Sequence, residues 1–273
     1  MTDKPAFAVA SIDDSLPLWQ QSQRGLPNAL ARSALFNVAN LRSGGERHYF
    51  TSATIASSKG INLVYTGQEL RQDDEDVFLQ VLHLAKEQKL GENISFTAHS
   101  MLVALGWTIN SESYKRLTIC MDRLKATSVR LTVENPGGGS MGFAGSLVGE
   151  FEWQEKASND PLREWNVSLE KNIVKLFAPD AYSLIHWQTR LDLPPLAKWL
   201  HSYYSTHRDP FPHKVETLHK LTASGSKGLP QFRQKLKAAL AQLVDCGFLL
   251  GARIDAKSDL VHVERAADRR RLE

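Results

Sequence analysis

The apolar pattern of this chain repeats at an offset of 119 residues. Leu117, Met121, Leu124, Val129 and Leu131 correspond to Leu236, Leu240, Leu243, Phe248 and Leu250. Further upstream, Phe96 and Leu102 correspond to Val215 and Leu221. In both copies a helical stripe of 3,4 spacing gives way to a short alternating segment. Leu-rich helices match one another at many offsets, so the in-register switch from helix to strand is what favours a true repeat. Helices followed by a strand pair, twice over, restrict the chain to an α+β fold of tandem winged-helix domains. Two such modules point to DNA binding before they point to catalysis.

The 273 residues have room for two domains with real cores. The organisation expected is a flexible arm over 1–27, a first winged-helix domain over 28–158, a second over 159–266, and a basic tail over 267–273 containing Arg269, Arg270 and Arg271. The net charge of +3 argues only weakly for a polyanionic partner, but the charge is uneven. From position 198 onward there are 14 Lys and Arg against 8 Asp and Glu. Cys120 and Cys246 make no disulfide framework or CxxC motif; both fall within apolar patterns and read as buried thiols of a reducing cytoplasm. No signal peptide is visible, and the longest uncharged stretch, 93–111, is too polar to span a membrane.

Along the chain, 30–37 begins the order and 41–45 (LRSGG) reads as a loop. The stretch 49–65 reads as two strands broken at Lys59-Gly60. A helix over 73–88 opens with Asp73, Asp74, Glu75 and Asp76, where solvated carboxylates suit the positive end of the helix dipole; a metal site there is the weaker reading. Helices follow over 97–105 and from Asn110 or Ser111 to about 125. A strand at 128–133, a Gly-rich loop and a returning strand at 147–153 form the expected first wing. The boundary region lies near 159–161. Strands over 165–177 open the second half, followed by helices over 194–204, 213–221 and 230–245. A hairpin of 248–254 with 260–263 is the second wing.

The third helix of each half is the candidate recognition helix. In the first, Tyr114, Leu117, Met121 and Leu124 face inward. Glu112, Arg116, Ile119 and Arg123 face out, flanked by Lys115. In the second, Leu229, Phe232, Leu236, Leu240 and Leu243 face inward. Gln231, Gln234, Lys237 and Ala238 face out, flanked by Arg233 and Lys235. Arg reads guanine bidentately, Gln pairs with adenine, and a small Ala lets the helix approach a thymine methyl. Lys227, at the entrance to the last helix, is placed for a phosphate contact, and Gly138, Arg253 and Lys257 belong to the two wings. A solvated polar face is as good an account of either helix alone; the pair at one position of a repeated module favours DNA.

Other motifs carry no chemistry. Gly137, Gly139 and Gly142 spell GxGxxG, but an extended segment follows where a dinucleotide site needs a helix. Ser226-Lys227-Gly228 lacks the upstream glycine of a P-loop. Tyr203 and Tyr204 lack the His-apolar-His metal triplet of a DNA-nicking enzyme and read as packing residues. His213 and His219 fall on different helix faces. No Ser, His and Asp spacing fixes a nucleophile with its base. The chain is expected to be no enzyme and to need no cofactor or metal.

An ordered set of short motifs resembles the TrfA-type replication initiators of broad-host-range IncP plasmids. It runs ARSALF (31–36), YTGQELR (65–71), LGW (105–107), RLKAT (123–127), VKLFAPDAY (174–182), STHR (205–208), KVET (214–217) and DLVH (259–262), and covers about 27–265. The resemblance implies a cytoplasmic, plasmid-encoded tandem winged-helix protein that binds iterons, the direct repeats of a plasmid origin. It implies opening of an AT-rich element, capture of one single strand, and support for loading the host replicative helicase with the host initiator. It also implies a homodimer in equilibrium with an active monomer, with dimers limiting copy number. Relatives can carry a clamp-binding QLSLF-type pentapeptide before a Trp. The corresponding stretch here, 10–14 before Trp19, lacks it, so the sliding clamp is a partner only if SLPLW (15–19) substitutes. The alternatives are a nucleotide-driven helicase loader, a transcriptional repressor of the same fold, and a scaffold without DNA affinity.

Overall fold

The computed structural model describes residues 15–39, 46–134, 138–153 and 164–266. The LRSGG loop, the clamp-type stretch 10–14, the boundary at 159–161 and the basic tail lie outside them. The chain opens with β1 (Gln23–Pro27), α1 (Asn28–Ala31) and β2 (Phe36–Asn37). The two expected strands are β3 (Tyr49–Ile55) and β4 (Ile61–Gln68), with Gly60 at φ +80° in the turn between them. After β5 (Leu70–Arg71) come α2 (Gln72–Ala85), β6 (Ile94–Thr97), α3 (Ala98–Ala104) and α4 (Ser111–Lys125). Thr97 and Asn110 cap α3 and α4, their side-chain oxygens accepting from the N–H of Ser100 and Ser113.

The segment after α4 departs from expectation. β7 (Ser128–Glu134) turns back into β8 (Ser140–Gly145), and both join a four-stranded antiparallel sheet of order β3-β4-β7-β8. Leu63, Leu131 and Phe143 stand side by side across it and face the core. Only then come β9 (Phe151–Trp153) and β10 (Glu164–Val167), which pair with β6 in the order β6-β10-β9. Residues 165–177 therefore do not open the second half. They form β10 and a 3₁₀ helix, Lys171–Phe177, in the first core.

β11 (Tyr182–His186) pairs with β1, and α5 (Trp187–Asp192) leads to α6 (Pro195–Ser205). The second unit continues with β12 (His213–Lys214), α7 (Val215–Thr222), α8 (Leu229–Asp245), β13 (Leu249–Ile254) and β14 (Leu260–Arg265). Its sheet has the order β12-β14-β13. Both units thus run helix, strand, helix, helix, then two strands that return to the first strand in the same order. The repeat is structural from β6 to α4 and from β12 to α8, where the 119-residue offset holds. It breaks at the strands, because β7 and β8 are inserted between α4 and β9. The match of Val129 and Leu131 to Phe248 and Leu250 is consequently coincidental. Leu250 is 63% exposed, and Leu249 fills the core in its place.

Among the described residues the buried apolar side chains form two clusters. The first extends from Leu16 to Trp187 and the second takes Val38 and residues from Leu193 to Val261. The division falls between Trp187 and Leu193, not at 158/159. Nor is the arm loose from Ser15 onward: Leu16 and Trp19 are buried, and Trp19 Nε1 donates to His83 Nδ1 at 2.9 Å. The second core is built on Trp199, Tyr203, Phe232 and Leu236, so Tyr203 and Tyr204 are packing residues as expected. Cys120 is buried, but Cys246 is exposed where α8 ends. There Gly247, at φ +74°, lets Phe248 N–H reach back to Leu243 C=O.

Candidate nucleic-acid interface

α8 presents the face its sequence predicts. Phe232, Leu236, Ala239, Leu240 and Leu243 are buried, and Gln231, Gln234, Lys235, Lys237 and Ala238 are exposed. Until Asp245 at its C-terminal end, the helix carries no acidic residue, so the exposed face is uncompensated positive and amide. Lys227 is exposed just before the helix, where its backbone N–H donates to Gln231 Oε1 at 2.9 Å. Arg233 bends away from the ridge. Its guanidinium pairs with Asp259 at 2.6 Å and pins α8 to the β13–β14 turn. Arg253 and Lys257 are exposed on that hairpin. Asp255 organises the turn by accepting from the N–H of Lys257 and Ser258, and these bonds hold its carboxyl below the usual range.

α4 differs. Lys115 and Ile119 are exposed, but Arg123 is not a surface residue. It is 9% exposed and donates from Nε and Nη2 to Asp74 Oδ1 at 2.9 and 2.6 Å. Arg123 therefore holds the core together and does not face a groove. Arg116 is half-exposed, its guanidinium lying 3.9 Å from the centroid of the Trp107 ring and 3.5 Å from Asp73. Gly106, at φ +65°, makes the turn after α3 that sets Trp107 beneath it. Gly138 is exposed, with open space around it, but it sits at the tip of the inserted β7–β8 hairpin. The strand pair equivalent to β13–β14 is β9–β10, so the pair expected as the first wing, 128–133 with 147–153, does not form: β7 pairs with β4 and β8, and β9 pairs with β10.

The acidic run also departs from expectation. Asp73, Asp74, Glu75 and Asp76 are all at most 6% exposed. Sequence reasoning places such a run in solvent, yet α2 is buried on every side. Val77, Phe78, Leu79, Val81 and Leu82 are all fully buried, and apolar residues on more than one helix face, interrupted only by Gln80, are the available signal that the whole helix is interior. Arg47 reaches Asp73 at 3.2 Å and Asp74 at 2.6 Å. Arg190, fully buried, reaches Glu75 at 3.2 Å and Asp76 at 2.7 Å, and Lys198 reaches Asp76 at 2.5 Å. Burial alone would raise the Asp73 carboxyl, but Arg47, Arg116 and Arg123 together hold it below its ordinary value. Burial and the charge of Asp73 push Asp74 upward against Arg123 and Arg47. Burial likewise raises Glu75. Ligand atoms of Asp73, Asp74 and Cys120 lie within 4.8 Å of one another. Two guanidinium groups already neutralise these carboxylates, and burial with the two aspartates keeps the thiol protonated, so the donor set is that of an ion-pair core. No helix among the described residues is long and apolar enough to cross a membrane.

This two-unit α+β architecture is shared with crystal structures of domains 2 and 3 of RctB. One matches with a TM-score of 0.55 at 13% identity, covering 84% of this chain and 95% of that one. A second, of a selenomethionine derivative, matches with a TM-score of 0.54 at 13% identity, covering 94% and 97%. At that identity the likeness is one of fold. The sequence itself is more specific. The family model for TrfA protein matches residues 9–265. The plasmid replication initiator protein TrfA of Escherichia coli is 33% identical over 256 residues, 93% of this chain. The chain spans 65% of that relative's length. It belongs to the TrfA family.

Proposed function

We propose that this protein is a plasmid replication initiator whose two repeats are winged-helix modules that hold duplex DNA, with α4 and α8 in successive major grooves. The observation that carries the reading is the exposed face of α8. A helix of 17 residues with Gln231, Gln234, Lys235, Lys237 and Ala238 outward, and no acid before its last residue, has the donors and positive charge that base edges and phosphates require. Membership of the TrfA family supplies the expected ligand, the directly repeated iterons of a plasmid origin. Lys227, Arg253 and Lys257 supply phosphate contacts beside the helix. In the first unit Lys115, Arg116 and Ile119 carry the contact, without Arg123.

The reading extends to opening of an AT-rich element, capture of a single strand and support of helicase loading with host proteins. It also includes a monomer–dimer equilibrium in which the monomer acts at the origin. Melting draws on protein bound at several repeats, on bending and on strand capture, so it needs no nucleotide and no catalytic residue. SLPLW is not a free clamp ligand, because Leu16 and Trp19 are buried in the first core.

The test is a footprint and gel shift on candidate origin repeats across a salt series. With six or more phosphates neutralised, affinity falls about a thousandfold between 50 and 200 mM salt. A nearly flat response, or equal affinity for random duplex, refutes the groove reading.

A further inference from the structure

α2 and α6 are the first helices of the two repeats, and they pack on each other. α4 packs on α2, and α8 packs on α6. The two DNA-facing helices are therefore held apart by the α2–α6 seam, and that seam is ionic. Asp76 accepts from Arg190 Nε at 2.7 Å and Lys198 Nζ at 2.5 Å. Arg190 also donates to Ser202 Oγ at 2.6 Å and to Gln72 Oε1 at 3.2 Å. Ser202 Oγ lies 3.5 Å from Glu75. The two preceding carboxylates of the same run, Asp73 and Asp74, face Arg116 and Arg123 of α4. Four consecutive residues thus reach both units.

We propose that the buried carboxylates of α2 are positioning residues that fix the angle and separation of the two DNA-facing helices, with Asp76 and Arg190 setting the register of the seam. The inference rests on the two-helix DNA reading for its consequence, but not for its geometry. An apolar seam is non-directional and tolerates sliding. A guanidinium with several fixed acceptors does not. A shift of α6 by one residue, about 1.5 Å along the axis, breaks the Lys198–Asp76 pair and both Ser202 bonds, and a shift of α5, which carries Arg190, together with α6 breaks the Arg190 bonds to α2 as well and strands a buried charge. One arrangement is then favoured over its neighbours, which is the best-attested use of interior ion pairs. For a protein that touches two grooves, a fixed separation becomes selectivity for the spacing between the two halves of a binding site. Five added base pairs turn the second half about half a turn away.

The test joins a distance measurement to a binding measurement in the full chain. Spin labels go on Cys246, which is exposed, and on an introduced Asp122→Cys on α4; Cys120 is buried and stays unlabelled. The unmodified seam gives one narrow distance distribution. Asp76→Asn at least doubles its width. On DNA, inserting five base pairs between half-sites lowers wild-type affinity at least tenfold and Asp76→Asn affinity less than threefold, while affinity for an isolated half-site stays unchanged. Lys198→Met, at the partly exposed edge of the seam, gives the same changes in weaker form and decides the matter if Asp76→Asn does not fold. A folded variant with the wild-type distance distribution and the wild-type spacing penalty overturns the inference. If the wild type binds no duplex at all, the DNA reading fails while the label distances still judge the seam.

Discussion

Arg123→Ala separates an interior role from a DNA-contacting one. The side chain is buried and places two charge-assisted bonds on one oxygen of a fully buried aspartate. Removing one partner of a buried pair costs about 3–5 kcal/mol, because a charge is left without compensation. Two features place this case at the lower end. Asp74 keeps Arg47 at 2.6 Å and the backbone N–H of Arg71 at 2.8 Å. Its carboxyl, already pushed upward by burial, also takes up a proton more readily than an ordinary aspartate. The expected loss is about 3 kcal/mol. At roughly 2–4 °C per kcal/mol for a chain near this size, the melting temperature of the first core falls by about 6–12 °C. Circular dichroism melting reads this directly. Below the transition, DNA affinity should stay within about twofold of wild type, since the lost free energy is conformational. A melting temperature within about 2 °C of wild type, together with selective loss of affinity for cognate repeats, would return Arg123 to the groove and refute the reasoning.

Burial holds His201 down to about 3, with Arg190, Arg265 and His186 adding to the effect. An unfolded His titrates near 6.5, so the unfolded chain binds a proton that the folded chain refuses. This contribution to stability is complete above about 6.5 and is lost as pH falls from there towards 3, by up to ~1.4 kcal/mol per pH unit. His201→Phe should flatten the acid limb of a stability–pH curve by one proton, and an unchanged slope would show that His201 is accessible to protons. Gly25→Ala puts a Cβ 2.8 Å from the Trp19 ring and 3.0 Å from Phe177; it should cost about 1–3 kcal/mol by overpacking, and unaltered urea unfolding would disprove the contact. Gln234→Ala should cost about 1–3 kcal/mol on cognate repeats and little on random duplex, whereas Lys235→Ala should weaken both alike and reduce the salt slope by about one. Equal losses for both variants on both DNAs would make Gln234 a phosphate contact.

Local periodicity carried far in this chain. The stripes of α4 and α8, the start of α4 beside Asn110, the strand break at Lys59-Gly60 and the outward Gln and Lys residues of α8 follow from local sequence, because each depends only on neighbours a few positions away. The same logic misplaced what depends on distant partners. Nothing near Arg123 in sequence announces Asp74, 49 residues before it, and nothing near Asp76 announces Arg190, 114 residues later. The strands that complete the first unit are hidden for a related reason. An alternating segment after a helix looks alike whether it returns to β6 or joins β4, and strand pairing is a long-range choice. Thus the residue order determined the family, the repeated helices and the polar ridge of the last helix. Tertiary structure alone decided which strands complete each unit and whether a charge is solvated or enclosed, because both depend on contacts between segments that share no local pattern.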